Sequence, residues 1–111
     1  MPTPALATFL REALTPRLVA FIAGVTETRA TRQWAEGERE VGSADREQRL
    51  RAAAHVTRLI AETFDERTAQ AWMQGMDPML DDRSPAWVLR HATDEADRAA
   101  VLASARRFVV Q

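Results

Sequence analysis

ADREQRLRAAAHVTRLIAETF, residues 44–64, spaces its apolar side chains for a helix and not for a strand. Leu50, Ala53, Thr57, Ile60 and Phe64 recur at steps of three and four, with Ala54 beside them. On a 3.6-residue turn these positions form one stripe about 100° wide. Ser43 stands just before the run, where a side-chain oxygen can satisfy the first free backbone N–H groups. A helix this long with one apolar face must be covered by other elements. The flanking sequence offers short helices on both sides, so the segment predicts an all-α fold of six or seven helices.

Towards the N-terminus, PALATFLREAL places Leu6, Phe9, Leu10 and Leu14 at helical spacing. Thr15-Pro16 then reads as a cap followed by proline at the first helical position, opening PRLVAFIA. Gly24 ends that helix, because a left-handed residue after the last turn is easiest for glycine. Thr26 or Thr28 is the expected cap of RATRQWAE, which stops at Gly37. GEREVGS, residues 37–43, carries two glycines and reads as the internal linker.

Towards the C-terminus, Asp65 caps ERTAQAWMQ, which stops near Gly75. Asp77-Pro78 and Ser84-Pro85 repeat the cap-then-proline device, and the second starts PAWVLRHA. Thr93 or Asp94 opens a last helix with acids in its first turn and Arg106-Arg107 in its last, matching the helix dipole at both ends. The chain divides at the linker into a region 1–42 and a region 43–111.

Composition narrows the function classes. A chain of 111 residues with 46% apolar content predicts one domain with a real core. The absence of cysteine excludes disulfides, thiolate metal sites and thiol nucleophiles. No apolar run approaches the ~20 residues of a membrane span. The opening MPTPALATFLREAL carries charge early and has no apolar signal core, so a cytoplasmic protein is expected. All fifteen basic residues are arginine, and the formal net charge is −1. Residues 1–60 hold nine arginines against seven acids and residues 61–111 six against nine, a mild asymmetry that creates no global field for nucleic acid.

Enzymatic chemistry requires convergent reactive groups, and few are visible. His55 lies mid-helix among alanines, and His91 lies near a helix end, where contact with free carbonyls explains it. Asp81-Asp82 are adjacent in a turn without a calcium-loop pattern. Ser43, Ser84 and Ser104 read as two caps and a small helix-face residue, with no nucleophile elbow. A non-enzyme without metal or cofactor is the expectation.

LVAFIAGVTETRATRQWAEG, residues 18–37, has the outline of a helix-turn-helix, in which Trp34 packs back on the first helix and Arg29 and Arg32 face outwards. Thr28 at the helix start and Arg39 beyond its end complete the candidate DNA contacts. Residues 16–42 hold four arginines and four glutamates, a neutral balance for a phosphate-binding surface.

AWMQGMDPMLDDRSPAWVLRHA, residues 71–92, sets two tryptophans on either side of a glycine, two prolines and three aspartates. Trp72 and Trp87 are expected to be buried against the long helix, fixing the turn. Met76 and Met79 are expected at an adaptable contact surface. The tail ARRFVVQ ends in Phe108, Val109 and Val110, an apolar end with no following helix to cover it.

Over residues 15–111 the sequence resembles the Xre/MbcA/ParS-type antitoxins of RES–Xre toxin–antitoxin modules. GVTETRATRQWAEG is similar to their degenerate helix-turn-helix, and AWMQGMDPMLDDRSPAWVLRHA to their toxin-binding block. That family often has glycines where this chain has Asp81-Asp82, and an Asn where it has Met79. The resemblance implies a helix-turn-helix-like region at 1–42, a toxin-binding region at 43–111, and a NAD-degrading RES-domain toxin as the partner. It also implies occlusion of the toxin's active site, operator DNA as a second partner for autoregulation, and a homodimer inside a larger complex. Met76, Met79, Leu80, Arg106, Arg107, Phe108, Val109 and Val110 are the expected toxin contacts, with the tail entering or covering the active site. The rival expectation is a stand-alone helix-turn-helix regulator, and a third is a helical adaptor.

Overall fold

Caps set the start of most helices. The computed structural model describes residues 1–111. They form α1 (Thr3–Ala13), α2 (Pro16–Ala23), α3 (Arg29–Ala35), α4 (Ala44–Thr63), α5 (Glu66–Gln74), a 3₁₀ turn (Pro78–Leu80), α6 (Pro85–His91) and α7 (Glu95–Val109). Thr15 Oγ1 accepts from the Leu18 amide at 3.3 Å, Ser43 Oγ from Arg46 at 3.1 Å and Asp65 Oδ1 from Thr68 at 2.7 Å. Ser84 Oγ accepts from Trp87 at 3.0 Å and Asp94 Oδ1 from Asp97 at 3.1 Å. Each bond satisfies a donor that the helix itself cannot. The expected threonine cap of α3 does not form. Thr28 occupies the position in a helical conformation, and its main-chain oxygen instead accepts the Thr31 hydroxyl at 2.7 Å.

The all-α expectation holds: there is no strand, and the sole β-type bridge joins Asp77 to Arg83 across a turn. α4 is the axis of the structure, contacting α1, α2, α5, α6 and α7. Its buried residues are Leu50, Ala53, Val56, Thr57 and Ile60. Contact with so many helices widens the apolar face, which brings in Val56. Phe64, expected on the same stripe, stands at the helix end and is 48% exposed.

A single cluster of 21 buried apolar residues runs from Leu6 in α1 to Ala105 in α7, crossing the 42/43 boundary without a break. Main-chain carbonyls at the ends of the first two helices are satisfied from the C-terminal region. Arg46 Nε and Arg49 Nη2 both donate to the Ala23 carbonyl, at 3.0 and 2.8 Å. Arg90 Nη1 donates to the Phe21 carbonyl at 2.8 Å, and Gln70 Nε2 to Ala13 at 2.9 Å. The two regions therefore share both apolar packing and helix capping.

The three tryptophans have different fates. Trp34 is fully buried, on a helix that packs on α1 and α2. Trp72 is partly buried. Trp87, expected against the long helix, is 37% exposed. The reason is angular: α6 turns Pro85, Ala86 and Leu89 inwards, and Trp87, two residues past Pro85, leaves that face. Its ring is held by local contacts, stacked on His91 at 4.1 Å between centroids, with the Arg83 guanidinium 4.9 Å from its centre.

Candidate functional site

Residues 75–84 form a turn braced at several points. Asp77 Oδ1 accepts from the Met79 amide at 2.9 Å, and the Asp77 carbonyl accepts from Leu80 and Asp82, both at 2.9 Å. The Asp77 amide donates to the Arg83 carbonyl at 3.2 Å. Ser104, a buried residue of α7, donates its hydroxyl to Asp77 Oδ2 and ties the turn to the last helix. Asp81 and Asp82 both have left-handed backbones, with φ of 57° and 63°. Glycine takes that conformation most easily, and aspartate is among the few other residues that tolerate it.

This bracing places the turn beside the end of α7. Between them lies a groove of about 540 Å³, lined on one side by Trp72, Met76, Asp77 and Met79 and on the other by Arg107 and Phe108. Met76 is 82% exposed and Met79 48%. Phe108 closes the inner wall by packing against Trp72, with ring centroids 6.3 Å apart. Arg107 forms no ion pair within the chain, so its charge is free at the rim. Adaptable thioethers, two aromatic rings and an unengaged guanidinium make an apolar contact surface with a cationic edge.

Of the eight expected toxin contacts, Met76, Met79, Arg107 and Phe108 line this groove. Leu80 does not offer a surface: it is 5% exposed and anchors the turn in the core. Val109 packs partly against the core, Arg106 is exposed but does not line the groove, and Val110 is 80% exposed. Sequence reasoning overlooked Ser104 as part of the site. Its spacing signal was present, because Ser104, Arg107 and Phe108 fall three and four residues apart on one face of α7.

The candidate DNA contacts are arranged differently. Thr28 and Arg29 are exposed at the start of α3. Arg29 Nη2 lies 3.3 Å from Glu27 Oε2, and Arg32 Nη1 2.6 Å from Glu36 Oε2. Arg39 donates to Gln33 Oε1 at 3.3 Å and sits with Glu38, Glu40 and Glu47 around a second cavity of about 660 Å³. Each arginine of this surface thus has a partner on its own or a neighbouring segment.

His55 is exposed on α4, and His91 Nδ1 lies 2.9 Å from the Trp87 carbonyl at the end of α6. No three His, Asp or Glu side chains converge in a metal-binding arrangement. No helix is long and apolar enough to cross a membrane.

Fold and groove together define an all-α protein with one continuous core and an open groove lined by two exposed methionines. Comparison with models of known families, with curated proteins and with solved structures finds no match to this chain.

Proposed function

We propose that this chain is a protein inhibitor of the antitoxin class, which neutralises a NAD-degrading RES-domain toxin by docking on it and occluding its active site. The observation that carries the reading is the groove itself: Met76 and Met79 stand exposed on a rigid turn, next to Trp72, Phe108 and the free charge of Arg107. Side chains of this kind, desolvated by a partner, give protein contacts their central apolar energy. The choice of partner rests on the resemblance of residues 71–92 to an antitoxin's toxin-binding block. The left-handed Asp81 and Asp82 support it, since glycines at the equivalent places would take the same backbone.

In this reading the protein performs no chemistry of its own, acts in the cytoplasm, and associates as a homodimer within a larger complex. Repression of its own operon through the α2–α3 pair is a secondary role. The rival reading, a regulator that acts on DNA alone, has weaker support, because phosphates would have to displace Glu27 from Arg29 and Glu36 from Arg32. The test is co-expression with a RES-domain protein encoded next to this chain, with cellular NAD as the readout. NAD is expected to be preserved. Depletion at an unchanged rate with this protein in excess would overturn the proposal.

A further inference from the structure

On the face of α2 away from the core lies a third cavity, of about 520 Å³, bounded by α2, the α2–α3 turn, the end of α5 and α6. Its polar lining is Thr15, Arg17, Thr26, Thr28, Gln74 and Arg90, with no carboxylate among the lining residues. Every polar group there can donate a hydrogen bond, and two are permanent cations.

Neither cation is neutralised by the chain, since Arg17 and Arg90 take part in no ion pair. Glu27, the one acid of the adjoining turn, is engaged by Arg29. Arg90 is also held in place: its Nη1 donates to the Phe21 carbonyl, and its guanidinium carbon lies 4.7 Å from the centre of the Phe21 ring. Behind it, Arg46 and Arg49 converge on the Ala23 carbonyl. Burial first, and then the nearby Arg46, hold the Arg49 guanidinium below its usual pKa, with Asp45 opposing the shift and Arg90 adding a smaller lowering.

The hydroxyls of Thr15 and Thr28 are free to donate. Thr15 Oγ1 accepts from the Leu18 amide, which leaves its proton available to another acceptor. Thr28 makes no capping bond with its side chain. Thr15 also has φ of 110° and ψ of 148°, a conformation close to glycine-only for a β-branched residue. Strain of this kind persists where the surroundings hold it, and it recurs at binding sites.

We propose that this cavity is a binding site for a phosphate group, held by Arg17 and Arg90 with the hydroxyls of Thr15, Thr26 and Thr28. The site is separate from the methionine groove and does not depend on the antitoxin reading. Phosphate chemistry fits because its several acceptor oxygens and its charge match a lining that holds two cations and several donors and no carboxylate. The group could come from a free phosphoanion or from a nucleic-acid backbone, and the two sources can be told apart.

The test is NMR titration of the isotopically labelled full chain with inorganic phosphate, against sodium chloride at matched ionic strength. Saturable shifts are expected at the Thr26 and Thr28 amides, the Gln74 side-chain amide and Arg90 Nε. Arg17→Gln, an exposed position whose loss leaves the fold intact, should weaken phosphate affinity by about tenfold. Arg67→Gln on α5 should leave it unchanged. Displacement of phosphate by a short DNA duplex would assign the group to a nucleic-acid backbone, and failure of the duplex to compete would assign it to a free anion. Equal shifts with chloride, or unchanged phosphate affinity in Arg17→Gln, would overturn the site.

Discussion

The ring of Phe108 meets that of Phe64 nearly edge to face, with centroids 5.5 Å apart and planes at 64°. The contact joins the end of the last helix to the end of the longest one, and Trp72 is a second aromatic neighbour of Phe108 at 6.3 Å. Phe108 therefore has two roles: it is the wall of the groove and part of the packing that holds α7 to α4.

That double role predicts a graded response to changes in the tail. Phe108→Ala should lower stability by about 1–3 kcal/mol, because a half-buried ring loses two aromatic neighbours. Val110→Asp, at a side chain 80% exposed, should change stability by less than about 0.5 kcal/mol. Thermal denaturation of the two variants checks this, and equal melting temperatures would refute the role given to Phe108. Deletion of residues 106–111 is consequently a poor probe of inhibition, since it removes Phe108 along with the free tail.

Met76→Ala combined with Met79→Ala gives the cleaner separation of binding from folding. Both side chains are exposed, so the melting temperature should hold within a degree or two. Affinity for the toxin should fall about tenfold to hundredfold if a partner buries both methionines. Calorimetric titration of the purified pair measures it directly. An unchanged affinity would move the interface away from the turn.

Thr57 is fully buried on α4, and its hydroxyl has no hydrogen-bond partner. Replacing it with the isosteric valine removes an unsatisfied polar group without altering shape. Thr57→Val should therefore raise stability by about 1 kcal/mol, read from urea denaturation with an unchanged slope. A loss of stability would mean that the hydroxyl is engaged.

Asp65 supplies the pH dependence. Its bonds to Thr68, side chain first and then main chain, hold its carboxyl below the usual aspartate value. A carboxylate whose folded pKa is depressed contributes stability above its unfolded pKa, about 4, and loses it as pH falls through the lower folded value. Asp65→Asn keeps the capping geometry and removes the titration. The stability difference between the original protein and this variant should stay constant above about pH 5 and shrink towards pH 3. A difference independent of pH would exclude the cap as its source.

Helix positions were largely legible because they depend on local chemistry. Ser43, Asp65, Ser84 and Asp94 cap where residue type and spacing placed them. Thr28 failed because a helical backbone at that residue turns its side chain away from the free amides. Trp87 and Phe64 depart from expectation for a different reason: size and apolarity predict burial, whereas the angle of Trp87 on the short α6 and the place of Phe64 at the end of α4 leave both rings partly exposed. The groove was half legible. Met76, Met79, Arg107 and Phe108 stood out as unusual residues, but nothing local shows that the turn at 75–84 lies against α7. That neighbourhood depends on the bond between Ser104 and Asp77, 27 positions apart.

The placement of α4 has a consequence for the chain as it is made. Leu6, Leu10, Leu14, Val19 and Ile22 leave the ribosome before Leu50, Val56 and Ile60, which cover them in the finished molecule. The carbonyls of Phe21 and Ala23 likewise wait for Arg90, Arg46 and Arg49. The first three helices thus emerge as an adhesive, unroofed surface, and a released fragment ending near residue 42 should be a substrate for chaperones or proteases.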